Sequence, residues 1–277
     1  VSAPGGLPGS LMAGRRGLIM GVANERSIAW GIARAISAAG AEIGFTYQGD
    51  ALGRRVQPLA KSVGAAFVVP CDVEDEASMA AVFETAERTW GGLDFVLHSI
   101  AYSDRSELKG RYADTSRENF RRTMLISCYS FTEVAGRAAP LMPNGGSLLT
   151  LSFSGAERVV PNYNVMGVAK AALEASTRYM ATDLGPAGIR VNALSAGPMR
   201  TVSGAAIGSA RSIFNWHRAA APLKRSLTLE EVGNAGLYLL SDLSAGVTGE
   251  VHHVDCGTHA VAMAPAEAVP IEEDGPA

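Results

Sequence analysis

Cysteine is scarce in this chain of 277 residues: Cys71, Cys128 and Cys256 are odd in number and far apart. That pattern fits neither a disulfide framework nor a zinc ligand set, and it points to a reducing, cytoplasmic setting. Net charge is nearly absent as well, with 24 Lys and Arg against 27 Asp and Glu for a formal value of -3. No global field then exists to hold a phosphate backbone or an anionic bilayer, so neither nucleic acid nor membrane is an expected partner. No apolar run reaches the ~18 residues of a spanning helix. The opening VSAPGGLPGSLMAG lacks the charged and apolar blocks of a secretory signal. What the chain does have is apolar bulk, 47% against 18% charged, which excludes a disordered or coiled-coil protein.

Residues 1–14 are rich in Gly, Pro and Ser, and residues 261–277 are similarly poor in packing side chains, so both ends are expected to be loose. Between them, over 15–260, short aliphatic runs alternate with amphipathic stretches. That alternation predicts a single doubly wound, Rossmann-type α/β domain: a parallel sheet of about seven strands with helices on both faces. The strand candidates are Gly17 to Met20, Glu42 to Tyr47, Ala66 to Pro70, Phe95 to Ser99, Ser147 to Leu151, Ile189 to Ser195 and Val251 to Val254. Helical stripes run through Ile28, Ile32 and Ile36, and through Val232, Leu237 and Leu240. The small-residue stretch from Thr201 to Ala221 reads as a loop or short helices outside the core.

After the first strand comes GVANERSIAWG, in which Gly21 suits a tight turn and Ser27 and Ile28 open a helix. Such a helix start offers unpaired N–H groups to a pyrophosphate, while Gly31 would let the helix approach the sheet. The usual G-x-G-x-x-G spacing is absent, so this fragment alone is equally a plain strand-to-helix turn. Strand two ends at Gln48, with no cation between Thr46 and Asp50 to meet a ribose phosphate, which favours NADH over NADPH. Asp72, ending strand three beside Val73, reads either as an acceptor for an adenine amino group or as a helix N-cap. Tyr163 and Lys170 stand seven residues apart on an expected helix, a spacing that returns to within about 20° of one face. A phenol beside an ammonium, its pKa lowered by the cation, is a proton donor suited to polarising a carbonyl, although by spacing alone a Tyr and a Lys on one helix face are usually just solvated. His252 and His253 are adjacent on a strand and should point to opposite faces, against a shared metal. His98 reads as a hydrogen-bonded structural residue, and Ser152 has no identifiable His partner for hydrolase chemistry.

These segments, joined by FTYQGD, CDV, HSIAY, GAERVVPNYNVMGVAKAALEA, GIRVNALSAGPMRT and LSAGVTGEVHHVD, resemble in order and spacing the enoyl-acyl-carrier-protein reductases of bacterial fatty acid synthesis. That family is a branch of the short-chain dehydrogenases whose ketone-reducing members carry Y-x-x-x-K; here position 167 is Gly, giving Y-x6-K. The resemblance implies NADH-dependent reduction of trans-2-enoyl thioesters on acyl carrier protein by a homotetramer. It implies cofactor contacts from Gly21, Ser27, Ile28, Gln48, Asp72, Val73, Ser99, Ile100, Met199 and Thr201, with Lys170 on the nicotinamide ribose. Tyr163 would be the donor to the thioester carbonyl, and Ala101, Phe153, Met166, Ser203 and Ile207 would border the acyl chain. Phe153 is a departure, since many bacterial members carry Tyr there and the mycobacterial branch carries Phe. The alternatives are a ketone or hydroxyacyl dehydrogenase and a catalytically silent nucleotide sensor. From Leu184 to Leu229 the chain has no Asp or Glu but six cations, Arg190, Arg200, Arg211, Arg218, Lys224 and Arg225. This suits an acidic carrier protein, unless those cations pair with carboxylates elsewhere in the fold.

Overall fold

The computed structural model describes residues 11–201 and 210–263. The short aliphatic segments form β1 (Arg16–Met20), β2 (Glu42–Tyr47), β3 (Phe67–Pro70), β4 (Phe95–His98), β5 (Gly146–Ser152), β6 (Ile189–Ala196) and β7 (Val251–Val254). Each expected strand is present, with its ends displaced by at most one residue. They make one sheet in the order β3-β2-β1-β4-β5-β6-β7, every neighbouring pair parallel. Parallel pairing requires long crossovers. The amphipathic stretches supply them as α1 (Ile28–Ala38), α2 (Gly49–Ser62), α3 (Glu76–Trp90), α4 (Arg117–Met124), α5 (Ser130–Ala138) and α6 (Asn164–Leu184). After β6 come α7 (Ala210–Ala220) and α8 (Leu229–Leu240).

Side chains alternate along each strand, so one sheet feeds two cores. On one face Ile19, Phe45, Phe95 and Leu97 pack with Ile32, Ile36, Val56 and Val232 from α1, α2 and α8. On the other, Leu18, Met20, Val96 and Leu148 pack with Met79, Phe131 and Leu173 from α3, α5 and α6. Each such side chain contributes roughly 1.5–3 kcal/mol on burial, which is why a sheet of four- to eight-residue strands holds its register. The close approach at Gly31 is to a helix, not to the sheet. A Cβ there would lie 2.7 Å from Leu229 Cγ, and one at Gly233 would lie 2.6 Å from the Gly31 carbonyl oxygen, so paired glycines let α1 and α8 touch.

Three segments differ from their sequence reading. Within the stretch taken as a loose start, Met12 is 1% exposed and its N–H donates to the Ala39 carbonyl at 2.8 Å. The stretch from Thr201 to Ala221, read as a loop or short helices outside the core, includes the short helix α7, and His217 and Ala220 on it are buried. At the other end, the Val261 carbonyl is held by Arg158 at 3.0 Å. Between α4 and α5 the chain stays helical through a π turn, Leu125–Tyr129, a geometry that widens the helix by one residue.

Candidate active site

Strand order reverses between β1 and β4, and at the carboxyl ends of β1, β4, β5 and β6 opens a cavity of about 640 Å³. Gly21 (φ +94°) leaves β1 so close to β4 that a Cβ would fall 1.9 Å from the Ser99 carbonyl oxygen; only glycine permits this crossing. Ser27 Oγ accepts from the Ala23 and Asn24 N–H groups at 3.0 and 3.1 Å, folding the turn back on itself. It leaves α1 without a side-chain cap. Gly21, Ser27 and Ile28 line the cavity, so the start of α1 is available to an anion. Ser99, Ile100 and Ala101 after β4 line it too, and Met199 and Thr201 after β6 close the opposite wall.

Gln48, Asp72 and Val73 are not on this wall; they lie beyond it, at the ends of β2 and β3. Gln48 Nε2 donates to Asp72 Oδ2 at 3.2 Å, so the sheet brings these two together. Asp72 Oδ1 accepts from the Glu74 N–H at 2.9 Å, but the N-cap of α3 is Asp75, whose side chain accepts from the Ala77 N–H. The N-cap reading of Asp72 is thereby corrected, because the chain makes one more turn before the helix starts.

Tyr163 and Lys170 both line the cavity and both are buried, at 7% and 6% exposure. Tyr163 is the N-cap of α6 and precedes its first turn, flanked by Asn162 (φ 61°) and Asn164 (φ 37°) in left-handed backbone. Asparagine tolerates that region better than most residues, and Asn164 Nδ2 anchors the bend by donating to the Glu107 carbonyl at 3.1 Å. The expected lowering of the phenol by the ammonium is not found: burial pushes the Tyr163 hydroxyl up. Lys170 Nζ donates instead to the Leu151 carbonyl at 2.7 Å, and burial brings Lys170 down to about 8. Phe153 stands edge-on to the Tyr163 ring at 5.2 Å, and Leu108 and Met166 complete a small apolar cluster around it. Ser203 and Ile207 lie outside the described residues.

Sequence reasoning missed how the wall after β4 is fixed. Ser127, in the π turn, accepts from the Tyr102 N–H and donates to the Tyr102 carbonyl, both at 2.9 Å. It also missed the pair behind the cavity, Ser152 and Glu174, which share a short hydrogen bond. Neither serine stands in a motif, and no periodicity marks it. His98 is buried between Thr150 and Ser130 as a structural residue, and burial brings it down to about 3. His252 and His253 do face opposite ways, the first against Tyr238 and the second on Glu157. Of the cations between Leu184 and Leu229, Arg225 pairs with Glu231, Arg190 binds the Leu239, Ser241 and Val247 carbonyls, and Lys224 binds the Ala219 carbonyl. Arg200 and Arg218, with Arg26, line a second cavity of about 350 Å³ that shares Pro198, Met199 and Phe214 with the first. The side chain of Arg211 is outside the described residues.

The fold that carries this cavity is shared with known proteins. Residues 21–259 match the family model described as enoyl-(acyl carrier protein) reductase. The chain is 60% identical over 263 residues to enoyl-[acyl-carrier-protein] reductase [NADH] 2 of Rhizobium meliloti, covering 95% of this chain and 98% of that one. It is 64% identical over 253 residues to that organism's enzyme 1, covering 91% and 93%. Among solved structures, the Anaplasma phagocytophilum reductase in complex with NAD superposes with a TM-score of 0.89 at 56% identity, over 92% of this chain and 97% of that one. The Bacillus cereus reductase, solved with NADP+ and an indole naphthyridinone, gives 0.90 at 50% identity over 92% and 100%. The fold, the cavity and these likenesses agree, and the chain belongs to the enoyl-(acyl carrier protein) reductase family.

Proposed function

We propose that this chain reduces the trans-2 double bond of enoyl thioesters carried on an acyl carrier protein, with NADH as the reductant. The observation that carries this reading is that Tyr163 and Lys170 open into the same cavity as the Gly21 crossing and the uncapped start of α1. These residues fit the dinucleotide: the α1 start suits its pyrophosphate, Lys170 its nicotinamide ribose, and Ser99, Ile100, Met199 and Thr201 the walls around its ring. Gln48, Asp72 and Val73 suit the adenosine end. When bound, NADH supplies a hydride to the β carbon of the substrate.

The chain's own part is to orient the thioester and stabilise the charge that develops on its oxygen. Burial holds Tyr163 protonated at neutral pH, so its O–H is a donor to that oxygen, worth most as the enolate forms. Ala101, Phe153 and Met166 give the acyl chain an apolar border, and the resemblance adds Ser203 and Ile207. A ketone dehydrogenase is disfavoured on steric grounds. A Cβ at Gly167 would lie 2.7 Å from the Gly155 carbonyl oxygen, so the lysine of a Y-x-x-x-K motif has no room there.

Arg200 and Arg218 beside the cavity mouth support docking of an acidic carrier, and the exposed Tyr129 and Tyr179 on the π turn and α6 support assembly as a homotetramer. Three free, buried cysteines support a cytoplasmic setting. The test is purified protein with NADH and crotonyl thioester. Loss of NADH absorbance with the crotonyl compound and none with a 3-ketoacyl thioester is expected; the reverse would reject the reading.

A further inference from the structure

Two buried ionisable groups sit one turn apart on α6, and only one of them meets the cavity. Lys170 lines it; Glu174, 7% exposed, lies behind it. Residues four apart on a helix share a face, with Cβ atoms about 5–6 Å from each other. The end of β5 holds both side chains through consecutive residues: the Leu151 carbonyl accepts from Lys170 Nζ at 2.7 Å, and Ser152 Oγ donates to Glu174 Oε1. The Ser152 bond leaves Glu174 acting as an acceptor, which favours its ionised form. A carboxylate kept in the interior is costly unless it has a task or a partner, and it has no salt bridge among the described residues.

We propose that Glu174, held by Ser152, is a positioning residue whose carboxylate keeps Lys170 charged and so sets the upper pH limit of cofactor binding. The inference rests on the reading that Lys170 holds the nicotinamide ribose. The groups around the pair are few. Lys170 lies within the electrostatic reach of Cys128 from the π turn and His98 from β4. Burial keeps His98 neutral. Glu174 feels Glu157 from the turn after β5, His253 from β7, and Arg178 on its own helix electrostatically. His253 is already bonded to Glu157 at 3.0 Å. Burial lowers Lys170 to about 8 and raises Glu174; the field of Glu174 opposes the first shift and the Ser152 bond opposes the second.

Binding that needs the ammonium weakens as pH rises through the pKa of Lys170, and loss of the carboxylate moves that point to lower pH. NADH dissociation constants are measured by fluorescence from pH 6 to 10 for the wild type, Glu174→Gln, Glu174→Asp, Lys170→Met and the Glu174→Gln/Lys170→Met double variant. Glu174→Gln is expected within about twofold of wild type at pH 6 and at least about fivefold weaker near pH 8.5, since one pKa unit is a tenfold change. Glu174→Asp should lie between the two and carries the comparison if the amide variant does not fold. With Lys170→Met in place, Glu174→Gln should add nothing, because its route of action is gone. Parallel pH profiles for Glu174→Gln and wild type, or an undiminished effect in the Lys170→Met background, would overturn the inference while leaving the role of Lys170 standing. Wild-type NADH affinity in Lys170→Met would overturn the ribose reading itself.

Discussion

Burial acts on Tyr163 and Lys170 in opposite senses: it keeps the phenol protonated and makes the ammonium easier to lose. Their roles separate accordingly. Tyr163→Phe should lower kcat by about 10²-fold or more with little change in NADH affinity, because its hydrogen bond strengthens as oxygen charge grows. Lys170→Ala should weaken NADH binding, and Phe153→Tyr should stay active, since an edge-on ring at 5.2 Å shapes the pocket without donating. Initial rates together with fluorescence titration would check the three; full kcat in Tyr163→Phe would remove it as the donor. Coenzyme choice is testable at single residues. Gln48 and Asp72 are bonded to each other at the ends of β2 and β3. NADH should be preferred over NADPH by at least about tenfold in kcat/KM, or ~1.4 kcal/mol. Arg54 and Arg55 are exposed on α2, and equal use of both coenzymes would mean that one of them reaches the phosphate. That Gly21, Tyr163 and Lys170 line one cavity agrees with the sequence reading, which rested on the local turn demanded at Gly21 and on the resemblance carried by the stretch around Tyr163 and Lys170. Ser152 and Glu174 were not legible in the sequence, since their meeting depends on how β5 packs on α6.

Element α6 carries a cost at Lys170. A lysine lowered from its ordinary 10.5 to about 8 binds its proton less tightly in the folded chain than in the unfolded one. The charged form therefore destabilises the cofactor-free fold at pH 7, by something on the order of 3 kcal/mol. Lys170→Met should raise the melting temperature of the apo-enzyme at pH 7. Between pH 8 and about 10 the unfolded wild type holds more protons than the folded, so wild-type stability rises and the advantage of the variant should shrink. Melting curves across that range check this; an advantage that grew with pH would show that the lysine is not held as a buried cation. At this scale the strands were readable because apolar runs buried on both faces of a parallel sheet leave little ambiguity. The π turn and α7 were less so. A π turn depends on contacts such as Ser127 with Tyr102, and α7 has small, mixed residues whose burial is decided by the sheet's end beneath it.

For the molecule as a whole, net charge is a poor guide to where a partner docks. The acid-free stretch reads as a single basic patch, yet Arg190, Lys224 and Arg225 have partners within the fold, and Arg200 and Arg218 are the ones at the second cavity. Arg218→Glu should lower kcat/KM several-fold for a carrier-bound enoyl substrate, more at low salt, and leave a short pantetheine thioester nearly unchanged. Equal losses on both substrates would assign Arg218 to the pocket. The carbon that receives the hydride separates enoyl reduction from ketone reduction. NADH labelled with deuterium at the transferred position, with crotonyl thioester as substrate, should give butyryl thioester carrying deuterium at the β carbon, with the α hydrogen drawn from water. Deuterium found instead on a carbonyl carbon of a keto substrate, with the crotonyl compound left unreduced, would contradict enoyl reduction.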